Sequence, residues 1–166
     1  MRRDPIRLSA HHRVWLHSTL GVLFLSGALW LSLRYSGGRE GEFGPQTQPL
    51  ESWSLRAHGA AAMLFLVILG TLLRGHVRGG WKLRRNRFSG AVLVAFNAIL
   101  VLSGYGLYYF GGEHLRLWVS RIHWLAGLVA PPVVLWHMWR GKVSSTQAAK
   151  TAQRAERLRH RPDPSC

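Results

Sequence analysis

The stretch that decides the fold is residues 117–139, LWVSRIHWLAGLVAPPVVLWHMW, which carries one fixed charge, Arg121, and two histidines, His123 and His137. A hydrocarbon core of about 30 Å needs about 20 residues of helix. This stretch therefore predicts a membrane-spanning helix. Two imidazoles within it are notable, because ionisable side chains are costly in lipid and mark functional sites there.

Three further runs contain no Asp, Glu, Lys or Arg: residues 14–33, 57–73 and 88–112. They lack the period-two alternation of barrel strands, so helices are the solution left for backbone in lipid. Several of the eight tryptophans lie at the ends of these runs, as interfacial aromatics do. The sequence thus predicts an all-α fold, a four-helix transmembrane up-down bundle, with helices over about 14–34, 55–74, 88–110 and 117–139.

The net charge of +15 comes from 22 Lys and Arg against 7 Asp and Glu, a balance that in a soluble domain would indicate nucleic acid as the partner. Four apolar runs in 166 residues exclude a soluble nucleic-acid binder. The basic residues instead follow the positive-inside rule, because they concentrate in residues 1–13, the connection 74–87 and the tail. Both termini are therefore expected to be cytoplasmic, with a membrane domain over residues 1–140 and a basic tail over 141–166 that attracts anionic lipid.

Four histidines lie within the runs: His17, His58, His123 and His137. The last two are fourteen residues apart, which in a helix gives an offset of about 40° and a separation of about 21 Å. The topology places His58 at the depth of His123 near the outer surface, and His17 at the depth of His137 near the cytoplasm. The predicted pairs are therefore His58–His123 and His17–His137.

His76 is the alternative to His17 as the inner partner. It follows His58 by eighteen residues, which places both on one helical face. His17 is preferred because it lies within its apolar run, whereas His76 follows Arg74 in the charged connection. The prolines at 131–132 also predict a kink between the two ligands of the fourth helix, which weakens the argument from rotation.

One imidazole on each side of a porphyrin is the ligation of a b-type haem in a helical bundle, so the two pairs predict two haem b groups with the iron held by histidine. A structural zinc site requires three or four ligands, and a proton relay normally recruits carboxylates, which the runs lack. A cofactor-free scaffold subunit, in which the histidines only form hydrogen bonds between helices, stays open as another class of function.

Residues next to the ligands fit the same hypothesis. Arg121 lies inside its run, two residues before His123, where it can neutralise a haem propionate. Gly21, Gly59 and Gly127 lie close to ligands along their own helices and leave room for a flat macrocycle, although close helix packing in lipid uses the same residue type.

This distribution of histidines resembles the bacterial di-haem cytochrome b membrane subunits of formate dehydrogenase and nickel-iron hydrogenase, within the cytochrome b561 group. Residues 13–140 carry the resemblance, through the segments Trp15-Leu16-His17, Arg56-Ala57-His58-Gly59, Arg121-Ile122-His123-Trp124 and Leu135-Trp136-His137. The resemblance implies a multi-pass protein of the bacterial cytoplasmic (inner) membrane that transfers electrons through two haems. Its partners would be a quinone and a redox subunit of a respiratory complex, and a stand-alone quinone-linked oxidase is the alternative within the same fold.

Overall fold

The computed structural model describes residues 9–36, 39–41, 44–46, 48–82, 84 and 86–159. Its elements are the helices α1 (Ala10–Tyr35), α2 (Pro49–Leu72), α3 (Arg78–Lys82), α4 (Arg87–Tyr109) and α5 (Glu113–Arg159), with a π-helical turn at Leu73–Val77. Two short strands, β1 (Arg39–Gly41) and β2 (Gly44–Gln46), pair antiparallel between α1 and α2. The π-helical turn joins α2 to α3, so helix runs without a break from Pro49 to Lys82.

Four of the helical segments are long and apolar enough to cross a membrane, which confirms the prediction of four long apolar helices. The distribution of side chains agrees with a lipid surround. Among the described residues, the buried apolar side chains are Ala61 and Ile68, whereas many Leu, Val, Trp and Tyr side chains are exposed. The buried polar side chains of the described part of the chain are small hydroxyls, which allow helices to approach closely in lipid: Thr19, Ser26, Ser54, Ser89 and Ser103.

Two residues between α3 and α4 have an uncommon backbone conformation. Arg84 and Asn86 are both left-handed, with φ of 53° and 51°. The Arg87 guanidinium donates to the Trp81 carbonyl oxygen, at 2.8 Å from Nη2, and lies over the Trp81 ring. We call this end of the bundle, which bears residues 74–87, the basic end.

Helix α5 is longer than the fourth predicted helix. It continues through Pro131 and Pro132, although their ring nitrogens cannot donate to carbonyls one turn earlier, and it extends over most of the segment expected to form a separate tail. The Asn86 side chain donates to the Ser144 hydroxyl at 3.3 Å, which links the start of α4 to the extended part of α5. The span and the basic segment after it are thus one helix as far as Arg159.

The four long helices form two hairpins. Helix α1 packs along α2, and α4 packs along α5, whereas the main backbone approach between the hairpins is that of α1 to α5. Helices α2 and α5 do not pack closely against each other. The space between them is where the histidine side chains meet.

Candidate functional site

One pair of imidazoles bridges the two hairpins away from the basic end. His58 of α2 and His123 of α5 have ring centroids 6.1 Å apart, with their planes at 80° to each other. Both side chains are partly buried. These are the two residues that the sequence places in the outer pair, and the structure brings their rings together.

A second pair lies toward the basic end and differs from the sequence expectation. The ring next to His137 belongs to His76, with centroids 6.3 Å apart and an interplanar angle of 83°. His17, the predicted partner, is exposed on α1. The reason for the difference is that helix does not end with the apolar run at Leu73: it continues through the π-helical turn, which contains His76, to Lys82. Such π-helical turns are frequent at functional sites.

His58 is held by α1 through its Nδ1 atom. This nitrogen lies 3.0 Å from the Leu23 carbonyl oxygen and 3.2 Å from Ser26 Oγ. A carbonyl oxygen only accepts, so Nδ1 must carry the proton and donate. The Ser26 hydroxyl donates to the Val22 carbonyl oxygen at 2.6 Å, which leaves its oxygen free to accept from the same Nδ1–H. The network therefore leaves Nε2 of His58 unprotonated, with a lone pair for a metal ion.

The two histidines of α5 are held by α4 in the same way. His123 Nδ1 lies 2.9 Å from Ser103 Oγ, and His137 Nδ1 lies 3.1 Å from Ser89 Oγ. The Ser103 hydroxyl donates to the Ile99 carbonyl oxygen at 2.6 Å, so its oxygen accepts from the imidazole. The same tautomer follows for His123, with Nε2 available as a ligand.

A glycine follows each of these three serines and faces the same imidazole as its serine. A Cβ atom placed on Gly27 would lie 3.1 Å from Cε1 of the ring that it faces, on Gly104 3.3 Å and on Gly90 3.9 Å. The ring edge thus packs against bare backbone. A Ser-Gly dipeptide at residues 26–27, 89–90 and 103–104 is the sequence signal for this arrangement. The prediction from the histidine positions did not include it.

Gly21, Gly59 and Gly127 lie near His17, His58 and His123 along the same helices, and their surroundings differ from those of the glycines that face imidazoles. A Cβ atom on Gly21, Gly59 or Gly127 would meet no other atom within 4 Å. Close packing of helices therefore does not explain these three residues. The glycines that contact imidazoles are those on the neighbouring helix.

His58 and His123 each end the same short pattern, Trp-x-x-Arg-x-His, at residues 53–58 and 118–123. Arg56 and Arg121 each lie over the ring of the tryptophan three residues earlier, with the guanidinium carbon 5.1 and 5.2 Å from the ring centroid. Both arginines are exposed, as a group that binds an anion near the membrane surface requires. The sequence selected Arg121, and the repeated pattern identifies Arg56 as its counterpart on the other hairpin.

The comparisons with known proteins add no family. No protein-family model matches this chain, and no curated protein or solved structure matches it. Function must therefore be inferred from the site.

The donor set fits a metal group that takes two axial ligands. Among the described residues, no cluster of three or more His, Cys, Asp or Glu side chains could hold a metal ion, so each level offers two imidazoles. With metal–nitrogen bonds of about 2.0–2.1 Å and ring nitrogens about 1.1 Å from their centroids, two imidazoles on opposite sides of one metal have centroids about 6.3 Å apart. The observed 6.1 and 6.3 Å agree with this value. Two imidazoles are too few for a tetrahedral zinc site. They are enough for an iron porphyrin, because the porphyrin itself supplies four nitrogens.

An apolar cavity of about 430 Å³ lies between α1 and α5. Its lining includes Tyr35 and Ser32 of α1, and Trp124 and Leu128 of α5. Trp124 directly follows the ligand candidate His123, and its indole Nε1 is buried without a hydrogen-bond partner. The cavity is open to the surface of the bundle, and Trp124 is the lining residue that adjoins His123 in the chain.

Proposed function

We propose that this chain is a transmembrane di-haem b-type cytochrome. One haem would be held by His58 and His123, and the other by His76 and His137. The observation that carries the proposal is the presence of two imidazole pairs, at two levels of one bundle, each with a centroid separation suited to one six-coordinate iron. Groups held in this way by paired imidazoles would supply electron transfer.

When bound, the two haems supply one-electron redox chemistry. The chain supplies the rest. The imidazoles would hold each group between the hairpins, hydrogen bonds with α1 and α4 orient the rings of His58, His123 and His137, and the apolar helices would exclude water from the site. Arg56 and Arg121 would bind the carboxylates of the outer group, since guanidinium pairs strongly with carboxylate.

The proposal extends to the route of the electrons. The two levels, about 21 Å apart along α5, would connect the two faces of a bacterial cytoplasmic membrane. The basic end, both termini and the tail would face the cytoplasm under the positive-inside rule. We propose a quinone as one reaction partner and a redox subunit of a respiratory complex as the other.

A stand-alone quinone-linked oxidase is the second candidate. The observation that favours it is the apolar cavity lined by Trp124, the residue after His123, because a small apolar substrate could bind there without a second subunit. Purification under mild detergent separates the candidates. Stoichiometric recovery of a second redox subunit supports the electron-transfer subunit, whereas quinol oxidation by the isolated chain supports the oxidase.

An optical spectrum tests the haem proposal itself. We expect the detergent-purified chain to show b-type bands in the reduced-minus-oxidised difference spectrum and to carry two haems per polypeptide by pyridine haemochrome assay. An absence of b-type bands in protein expressed with adequate haem supply would contradict the proposal and favour a cofactor-free scaffold.

A further inference from the structure

Three serine hydroxyls touch histidines of the candidate site, and all three are buried. The relative exposure is 1% for Ser89, 8% for Ser103 and 8% for Ser26. A buried hydroxyl in an apolar bundle is costly unless its hydrogen bonds are made. Each of these oxygens lies within 3.2 Å of an imidazole Nδ1.

The spacing on α4 matches the spacing on α5. Ser89 and Ser103 are fourteen residues apart, and so are His123 and His137. Because α4 and α5 run antiparallel, one serine meets one histidine at each level. Helix α4, which carries no histidine, therefore contacts both sites through matched hydroxyls.

The hydrogen bonds that the serine hydroxyls donate determine which atom donates in the contacts between serine and histidine. Ser26 and Ser103 donate their single hydroxyl proton to carbonyl oxygens of their own helices, at 2.6 Å in each case. The Ser89 hydroxyl donates to the Asn86 carbonyl oxygen at a longer distance, 3.3 Å. The three oxygens are then left to accept from the imidazoles. A ligand histidine that donates its distal N–H to an oxygen is fixed in tautomer and orientation, and its basicity toward the metal is raised.

We propose that Ser103 and Ser89 are positioning residues that set the midpoint potentials of the two sites independently, Ser103 through His123 and Ser89 through His137. This inference rests on the proposed haem function. A more basic imidazole stabilises the oxidised iron more than the reduced iron, so each serine lowers the potential of its own site. Ser26 has the same role toward His58, where the Leu23 carbonyl oxygen is a second acceptor.

The experiment compares Ser103→Ala and Ser89→Ala with the unmodified full-length protein by potentiometric titration of the purified, haem-loaded chain. Each substitution is expected to raise one of the two midpoint potentials and leave the other in place, and the two substitutions are expected to affect different haems. A shift of up to tenfold in the redox equilibrium constant, which equals about 59 mV for one electron, is the expected size. Low-spin electron paramagnetic resonance signals should change for the same haem, because the imidazole is free to rotate.

Two controls separate positioning from packing. Ser103→Thr keeps a hydroxyl and is expected to keep the potential near that of the unmodified protein. Ser54→Ala removes another buried hydroxyl, one that donates within its own helix to the Glu51 carbonyl oxygen at 2.8 Å, and should shift neither potential.

The possible outcomes distinguish this inference from the haem proposal. If the unmodified protein binds no haem, the proposed function fails. If it binds two haems and both serine-to-alanine variants titrate as the unmodified protein does, the haem proposal stands and the role of the serines is disproved. Equal shifts of both potentials in each variant would also disprove it, because they would indicate a general loosening of the bundle.

Discussion

Replacing His76 with alanine is expected to halve the haem content of the purified protein, from two haems per chain to one. The ring of His76 is the one next to His137, and the remaining imidazole could not provide six-coordinate ligation by itself. The lost haem should be the one that Ser89→Ala affects. Pyridine haemochrome assay with protein quantitation measures the content, and potentiometric titration identifies the haem that remains.

His17→Ala is the matched control for that experiment. His17 lies within the first apolar run but is exposed on α1, so its removal is expected to leave both haems bound. The reverse result, in which His17→Ala loses a haem and His76→Ala keeps two, would show that the inner pair is His17–His137. The two substitutions thus decide directly between the pairing from depth in sequence and the pairing in the structure.

The features that could be predicted from sequence are those that short segments determine. Each of the four spans is defined by its own lack of charge. The closeness of the His58 and His123 rings could be expected, because the charge pattern of the sequence places the two residues at one depth in their helices. The same local reasoning gave Arg121, which stands out as a charge inside an apolar run.

The sequence prefers His17 as the partner of His137, whereas the ring next to His137 in the structure is that of His76, and the difference depends on where a helix ends. The apolar run stops at Leu73, yet helix continues into the charged connection through the π-helical turn. In the sequence, Arg74 and Gly75 signal the end of a span. In the structure, the chain beyond them remains helical, and His76 stays level with His137. Hydropathy indicates where the chain leaves the lipid, whereas the helix continues beyond that point.

The serines and glycines opposite the rings were missed for a related reason. Ser-Gly dipeptides are common in membrane helices and carry no signal by themselves. Their meaning depends on the antiparallel register of α4 against α5, which only the three-dimensional arrangement provides. Once the register is known, the fourteen-residue spacing shared by the serine pair and the histidine pair is the signal that the sequence contained.

A graded loss of haem is expected when the three glycines that face imidazoles are changed to alanine. A Cβ atom on Gly27 would approach two atoms of His58, at 3.1 Å to Cε1 and 3.2 Å to Nδ1, and on Gly104 it would lie 3.3 Å from Cε1 of His123. Those contacts are tighter than most Cβ atoms make, so each ring would have to shift by a few tenths of an ångström, which we expect to disturb its alignment with its partner. On Gly90 the distance to His137 Cε1 is 3.9 Å, an ordinary van der Waals contact.

Gly27→Ala should therefore weaken the outer site most, Gly104→Ala less, and Gly90→Ala should leave the inner site intact. We expect a loss of haem affinity of about 10-fold or more for Gly27→Ala, comparable with the loss of a second-shell contact at other metal sites. Haem titration of protein purified from haem-limited cells measures this order. Gly70→Ala, at a position with no neighbour within 4 Å, is the control for the substitution itself.

Differences in helix stability cannot produce the same order of haem affinities among the glycine variants. Alanine stabilises a helix relative to glycine by about 0.5–1 kcal/mol, so each of the four variants should gain intrinsic helix propensity to a similar extent. A loss that follows the distance from the new Cβ to the imidazole must then come from displacement of the ring. Equal haem affinity in the Gly27, Gly90 and Gly104 variants would contradict a site in which the position of each imidazole is fixed by the backbone of the neighbouring helix.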